Sequence, residues 1–342
     1  MVIRRIAPAL TLACLLGCAH AQTPPPAYTE RDDVRGFMAD VASRNDIPIE
    51  EVAAALAQAQ QVPKVIDYIK PPTQPGARSW QRYRARFLDR TRISGGAQFW
   101  QQHRDTLAAA EAKYGVPAEI IVAIIGVETI YGRNTGNFNT LSALATLAFD
   151  YPPRADLFRR ELEALILLSR EQGRAITEYK GSYAGALGLP QFLPSSERGF
   201  AVDFDGDGHI DLLTSPSDAI GSVANFLVQH GWEKGGPIAQ RAVLLDDANV
   251  APMIEAGILP QFQKADFDRA GVRALDLRAP DAAAALIDLV TPDQATEYWL
   301  GYQNFYVITR YNRSSFYAMS VAELAKAIKN EYQLKSAANA GN

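Results

Sequence analysis

The sequence predicts a mainly α fold of the α+β class that carries a small β-containing insertion. Three observations point there. Apolar residues recur at helical spacing through most of 31–230, with proline or glycine at the boundaries. Short apolar and β-branched runs gather between 240 and 295. A helical pattern then returns over Val321–Tyr332.

The chain has 342 residues, enough for two or three domains and a sizeable core. It is 48% hydrophobic and 21% charged, with a formal net charge of −4. That balance, without a long basic run, excludes the electrostatic footprint of a nucleic-acid binder.

The N-terminus reads as a targeting segment. Arg4-Arg5 supplies the charged region and Ile6–Gly17 a short apolar one, too short for a permanent membrane span. Leu15-Leu16-Gly17-Cys18 reads as a lipobox, with Cys18 as the lipid-modified first mature residue. The competing reading is ordinary cleavage after Ala19-His20-Ala21. Cys14 and Cys18 are the two cysteines, so the mature chain has no disulfide.

Gln22–Thr29, with three prolines, reads as a tether. Helices are expected over Arg31–Ser43 and Ile49–Gln61, followed by a loop at 71–76. Ser94-Gly95-Gly96 is expected to precede a helix running to Tyr114, with Gly115 as its C-terminal cap. Pro117 opens the next helix at its first position; that helix runs to Tyr131 and ends at Gly132. Further helices are expected over Ser142–Phe149, Ala155–Gln172 and Pro216–His230. Gln240–Leu245, Ala274–277 and Ala285–Val290 read as strands. The Ala/Asn/Gly tail reads as frayed.

Glu128 is the acid on an otherwise apolar helix. Helical spacing places Ile124, Ile125 and Tyr131 beside it. An isolated carboxylate in such surroundings is costly to ionise, so its pKa rises and its proton stays available near neutral pH. Two readings remain open at this point: a general acid, or a structural acid paired with an arginine. Glu119, in the first turn, is explained by the helix dipole alone.

Asp203-Phe204-Asp205-Gly206-Asp207-Gly208-His209-Ile210-Asp211 is the first half of an EF-hand calcium loop. Asp203, Asp205 and Asp207 offer side-chain oxygens and His209 a backbone carbonyl. Position twelve, a bidentate glutamate in the ordinary loop, is Thr214. The alternative is a metal-free Asx/Gly turn. The four histidines show no zinc-protease spacing.

Several separated motifs resemble those of the lytic murein transglycosylase B family. They are Gly126-Val127-Glu128-Thr129-x-Tyr131-Gly132, Ser94-Gly95-Gly96, Tyr114-Gly115-Val116-Pro117 and the run from Gly185 to Ser196. The calcium loop, Asp218–Asn225, His230-Gly231-Trp232 and the stretch Thr309–Met319 complete the set. The resemblance covers most of the mature chain. It implies a lysozyme-like helical core with a further helical domain and the small β insertion. It also implies cleavage of the MurNAc-β-1,4-GlcNAc bond of peptidoglycan without water, leaving 1,6-anhydroMurNAc ends. Glu128 falls on the family's catalytic glutamate, acting as acid and then as base.

The resemblance further places Tyr83, Ser182, Gln191, Tyr311, Asn312 and Tyr317 at the cleft and makes Asp218 the distal calcium ligand, with Asp211 direct or through water. Calcium is expected as a structural ion, with no organic cofactor. Arg154 is a candidate contact for peptide-stem carboxylates. The chain departs from the family in that Tyr151-Pro152-Pro153-Arg154-Ala155 lacks the second arginine usual after the proline, and in having Leu157 and Phe226 where an aromatic residue and a tyrosine are usual. A muramidase that admits water, or a non-catalytic peptidoglycan-binding scaffold, are the alternatives.

The expected organisation is a leader over 1–18, a tether over 19–30, a helical domain over 31–85 joined by part of 145–180, and the catalytic core over 86–239. The β-containing domain follows over 240–295, then a return to the core over 296–335 and a tail over 336–342. The expected partners are glycan strands, the outer membrane through lipidated Cys18, and other cell-wall enzymes, in the periplasm. Ala19, in place of an aspartate, leaves the outer membrane as the expected address.

Overall fold

A computed structural model describes residues 27–71, 78–276 and 280–340. Cys18 with the whole leader, most of the tether and most of the 71–76 loop lie outside the described residues.

Three helices come first: α1 (Asp32–Asn45), α2 (Ile49–Leu56) and α3 (Pro63–Ile69). The expected helix to Gln61 ends at Leu56, and Pro63 starts a separate one, since proline has no N–H to continue a helix. Then follow α4 (Trp80–Ala85), α5 (Arg90–Gln102), α6 (Arg104–Tyr114) and α7 (Ala118–Thr129). A two-residue strand β1 (Phe138–Asn139) leads into α8 (Thr140–Asp150) and α9 (Ala155–Gln172), and β1 pairs antiparallel with β2 (Lys180–Gly181).

Next come α10 (Pro194–Phe200) and α11 (Pro216–Gln229). The β-containing part holds β3 (Ala239–Leu244), α12 (Ala251–Glu255), α13 (Lys264–Arg269), β4 (Val272–Ala274), β5 (Ala285–Leu289) and β6 (Glu297–Gly301). Helices α14 (Gln303–Tyr311) and α15 (Ser315–Ala340) end the chain.

The structure corrects three expectations. Ser94-Gly95-Gly96 lies inside α5 and does not precede a helix. The helix expected to run unbroken to Tyr114 is interrupted at His103. Helix α7 stops at Thr129, two residues short of Tyr131. Gly115 caps α6 as expected, in the left-handed region at φ 69°.

The four-stranded sheet runs β4-β3-β6-β5, antiparallel throughout. Strand β6, absent from the sequence reading, is central: Trp299 opposes Arg241 on one side and Ile287 on the other. The expected strand at Ala274–277 is displaced to Val272–Ala274, and Leu277 itself is outside the described residues.

Buried apolar side chains form three clusters. The largest joins α5, α6, α7, α11, α14 and α15, with Trp80 and Ile287. The second joins α1–α3 to α8 and α9, and the third lines the sheet with Met253 and Phe267. Backbone carries the first cluster to the sheet, since Trp80 N–H donates to the Val290 carbonyl at 2.7 Å. That bond fixes where α4 presents Tyr83.

Candidate active site

Helix α7 is apolar on every side, and ten of its twelve residues are buried. A helix of that kind belongs in a core, so its one acid in the last turn has few options. Glu128 is half-buried. The helix stops because the next residue is pinned. Thr129, fully buried, donates from Oγ1 to the Leu189 carbonyl at 2.9 Å, with the Ile125 carbonyl at 3.2 Å. The same oxygen accepts from Gly132 N–H at 3.0 Å.

Three successive residues then turn left-handed: Ile130 (φ 54°), Tyr131 (φ 59°) and Gly132 (φ 86°). For β-branched Ile130 this conformation is strained, and it persists because both sides are held. Tyr131 folds back under α7, and its hydroxyl donates to the Arg92 carbonyl at 2.7 Å. A Cβ at Gly96 or Gly126 would lie inside contact distance of that hydroxyl. The Gly95-Gly96 pair therefore opens a slot in α5 for the tyrosine that ends α7. Arg92 also donates from Nε to the Gly126 carbonyl at 3.1 Å.

Tyr317, from the first turn of α15, donates to Glu128 Oε1 at 2.6 Å. Burial pushes the Glu128 carboxyl up to about 7, and the bond from Tyr317 opposes that rise because it favours the charged form. Burial also raises the phenols of Tyr83, Tyr311 and Tyr317, and the charge of Glu128 adds to the rise in each. Three tyrosines and one carboxyl thus lie within electrostatic reach of each other.

Tyr311 is used by the loop beside them: its hydroxyl donates to the Pro190 carbonyl at 2.9 Å, and its ring lies against Phe226 and Phe192. Gln191, at φ 52°, holds the same loop by donating from Nε2 to the carbonyls of Thr135 (3.1 Å) and Gly188 (3.0 Å). Ser182 sits in a turn closed at Gly185, where its Oγ accepts from Ala186 N–H at 3.1 Å. Asn312 is exposed at the end of α14, next to Tyr311. Arg154 is also exposed, and its guanidinium lies 5.2 Å over the Phe158 ring, on the second core. Its described contacts do not reach Glu128.

A second carboxyl is raised to about 7, that of Glu197, again through burial first. Glu197 is only 5% exposed and accepts from Gln172 Nε2 at 2.9 Å. Glu161, also buried, accepts from the N–H and hydroxyl of Ser195 at the start of α10. Glu128 differs from both in being partly exposed and bonded by a tyrosine hydroxyl. Sequence reading missed Thr129, Arg92 and the role of the glycine pair, because their partners lie 34–60 residues away along the chain.

In the acidic loop, carboxylate oxygens of Asp203, Asp205 and Asp218 lie within 4.8 Å of one another. Asp203 accepts from the N–H groups of Gly206, Asp207 and Gly208. Asp218 accepts from Phe204 N–H at 2.9 Å and Asp211 N–H at 2.8 Å, closing the loop. Burial raises Asp218, with the charges of Asp205 and Asp203 adding to it. Among the described residues no ion pair reaches this trio. Three converging oxygens without a counter-charge fit a hard divalent cation such as calcium. Asp207 accepts from His209 N–H, and Asp211 from the N–H groups of Leu213 and Thr214, on the same loop beside the trio. Phe204 anchors the loop by packing where a Cβ on Gly221 of α11 would stand.

A carboxyl of raised pKa, at the end of a buried helix and bonded by a tyrosine, is suited to proton transfer. Comparison with known proteins agrees. The transglycosylase SLT domain model matches residues 29–326. The chain is 39% identical over 312 residues to membrane-bound lytic murein transglycosylase B of Escherichia coli, covering 88% of this chain and 84% of that protein. Lytic transglycosylase SltB1 of Pseudomonas aeruginosa superposes with a TM-score of 0.82 at 43% identity, over 89% of this chain and 99% of that one. Escherichia coli lytic transglycosylase Slt35, solved in complex with calcium, gives 0.75 at 39% identity over 87% and 93%. The chain belongs to the transglycosylase SLT family and is a peptidoglycan lytic transglycosylase with a lysozyme-like fold.

Proposed function

We propose that Glu128 is both the acid and the base of the cleavage between MurNAc and GlcNAc. The observation that carries this is the 2.6 Å bond from Tyr317 to a carboxyl raised to about 7. Protonated Glu128 gives its proton to the glycosidic oxygen as the C1–O bond breaks. The muramic acid's own N-acetyl oxygen stabilises C1 from the opposite face. Glu128, now charged and favoured in that form by Tyr317, takes the proton of the C6 hydroxyl of the same sugar. O6 closes on C1 to give the 1,6-anhydro end. The donated proton leaves on the GlcNAc hydroxyl, the C6 hydroxyl proton restores the acid, and no water or second carboxylate is needed.

In this reading Ser182, Gln191 and Asn312 orient the acetamido group, while Tyr83 and Tyr311 flank the sugar ring. Arg154 is kept only as a contact for the peptide stem. Asp203, Asp205, Asp207 and Asp218, with the carbonyl of His209, would hold calcium, and Asp211 would join them directly or through water. Bound there, the ion braces the segment between the Gln191 loop and α11 and supplies no chemistry.

Lipidation of Cys18 would place the enzyme in the periplasm on the outer membrane. The name of the Escherichia coli relative supports membrane attachment, and among the described residues no helix is long and apolar enough to cross a membrane. Detergent phase partition of the exported protein, beside Cys18→Ala, tests the anchor.

Mass spectrometry of products from purified murein tests the chemistry. Anhydro ends from the wild type and none from Glu128→Gln are expected. Reducing ends would mean that water enters and the enzyme is a muramidase.

A further inference from the structure

Eight large hydrophobic side chains are exposed among the described residues, and two of them are aromatic: Tyr68 (49%) and Tyr183 (37%). These two touch each other. Their ring centroids lie 5.6 Å apart at 61°, and Tyr68 meets Phe138 edge-on at 6.0 Å. The three rings come from α3, from β1 and from the Ser182 turn, so they share no local reason to meet. Lys64 lies 5.5 Å from the centre of the Tyr68 ring, and Lys180 is exposed on β2 beside Phe138's partner Gly181.

This cluster adjoins two residues assigned to the cleft, since Tyr183 follows Ser182 in the same turn. Thr135 receives the Gln191 amide, and Gly136 packs against the backbone of Gly181 and Ser182 so closely that no Cβ fits there. Phe138 follows two residues later.

We infer that Tyr68 and Tyr183 form a remote subsite that stacks one further sugar ring of the glycan strand. Pyranose C–H groups carry slight positive charge and pack on the negative face of an aromatic ring, which also removes apolar surface from water. An exposed, edge-braced tyrosine pair offers such faces with little ordering cost, and the adjacent ammonium of Lys64 suits the carboxylates borne by the strand's peptides. Such a subsite binds ground state and transition state alike and therefore acts on KM and on substrate length, leaving kcat alone.

The proposal rests on the Glu128 cleft being the glycan site, and the two are separable. Kinetics of Tyr68→Ala and Tyr183→Ala on long glycan strands and on a tetrasaccharide fragment provide the test. KM for long strands should rise about tenfold with kcat held, corresponding to one lost contact. The tetrasaccharide should be cleaved as by the wild type, and Tyr68→Trp should restore the long-strand KM. An unchanged long-strand KM, or equal losses on both lengths, would overturn the subsite. Tyr183 lies in a surface turn, so its variant reports even where Tyr68→Ala unsettles α3. Glu128→Gln with full activity would instead remove the cleft assignment and the subsite with it.

Discussion

Tyr317 donates to Glu128 across 189 residues of sequence, and the two side chains meet through helices α15 and α7. The bond favours the charged carboxylate, against a burial effect that favours the neutral acid. Tyr317→Phe removes the opposing term, so the Glu128 pKa should rise above about 7. The descending limb of the rate–pH profile should then move to higher pH. Because charged-form hydrogen bonds are worth about 1.5–3 kcal/mol, kcat should also fall by roughly one to two orders of magnitude. An unmoved limb would count against Tyr317 as the residue that positions and tunes the acid.

Folding stability should fall as pH rises between about 4.5 and 7. Glu128 and Glu197 are both raised to about 7 from an ordinary 4.5, so the folded chain binds protons that the unfolded chain has released. The stabilisation is complete below the unfolded value and is lost as pH climbs through the folded one. Glu197→Gln keeps the acceptor for Gln172 and removes the ionisation. It should stabilise the protein at pH 8 by about 1–3 kcal/mol and leave it nearly unchanged at pH 4.5. Thermal unfolding at the two pH values decides this.

Calcium should raise the melting temperature, because its site joins the ends of a loop that exists only in the folded chain. At a hundredfold excess over Kd the gain is about 2.7 kcal/mol. Calorimetry with added calcium and with EDTA measures it. Asp218→Asn should abolish most of the difference. Equal melting temperatures with and without bound metal would sink the bracing role.

Gly96→Ala should be felt at the active site although Gly96 lies on another helix. The added methyl meets Tyr131 Oη and the Ile328 side chain, so overpacking should cost about 1–3 kcal/mol. Displacing Tyr131 shifts the left-handed turn that ends α7, so kcat should fall alongside. Gly199→Ala, where open space surrounds the backbone, is the control and should change neither.

The sequence made the acid legible because its surroundings are local: Ile124 and Ile125 share its helix, and burial of an apolar run can be read by spacing alone. The spacing did not choose between a general acid and a buried ion pair. That choice came from the family resemblance, and the geometry now adds that Glu128 is bonded by a tyrosine and forms no described ion pair. Helix α9 was read to the residue, since Gly173 caps it in the left-handed region at φ 61°. Strand β6 escaped notice because its pairing with β3 lies about 60 residues away and its pattern is only five residues long. The glycine pair in α5 was read as a helix start, because glycine ordinarily breaks helices. Its reason for being there, Tyr131, is some 35 residues further on. Arg154 is exposed with its guanidinium over Phe158, a placement that spacing in the sequence does not reveal.

Helix α15 has one more consequence, in the order of assembly. It is the last element of the chain, and it brings Tyr317 to the acid, Ile328 to the slot in α5 and Lys329 to Glu119 at the start of α7. A chain cut short before Ser315, or one whose final helix has not yet docked, holds Glu128 on a helix with its outer side uncovered. Such a chain has neither the low-dielectric surroundings nor the phenol that together set the proton's affinity. Truncation before Ser315 should therefore lower the Glu128 pKa toward the ordinary carboxyl range and abolish cleavage of murein, which a product assay on the truncated chain measures.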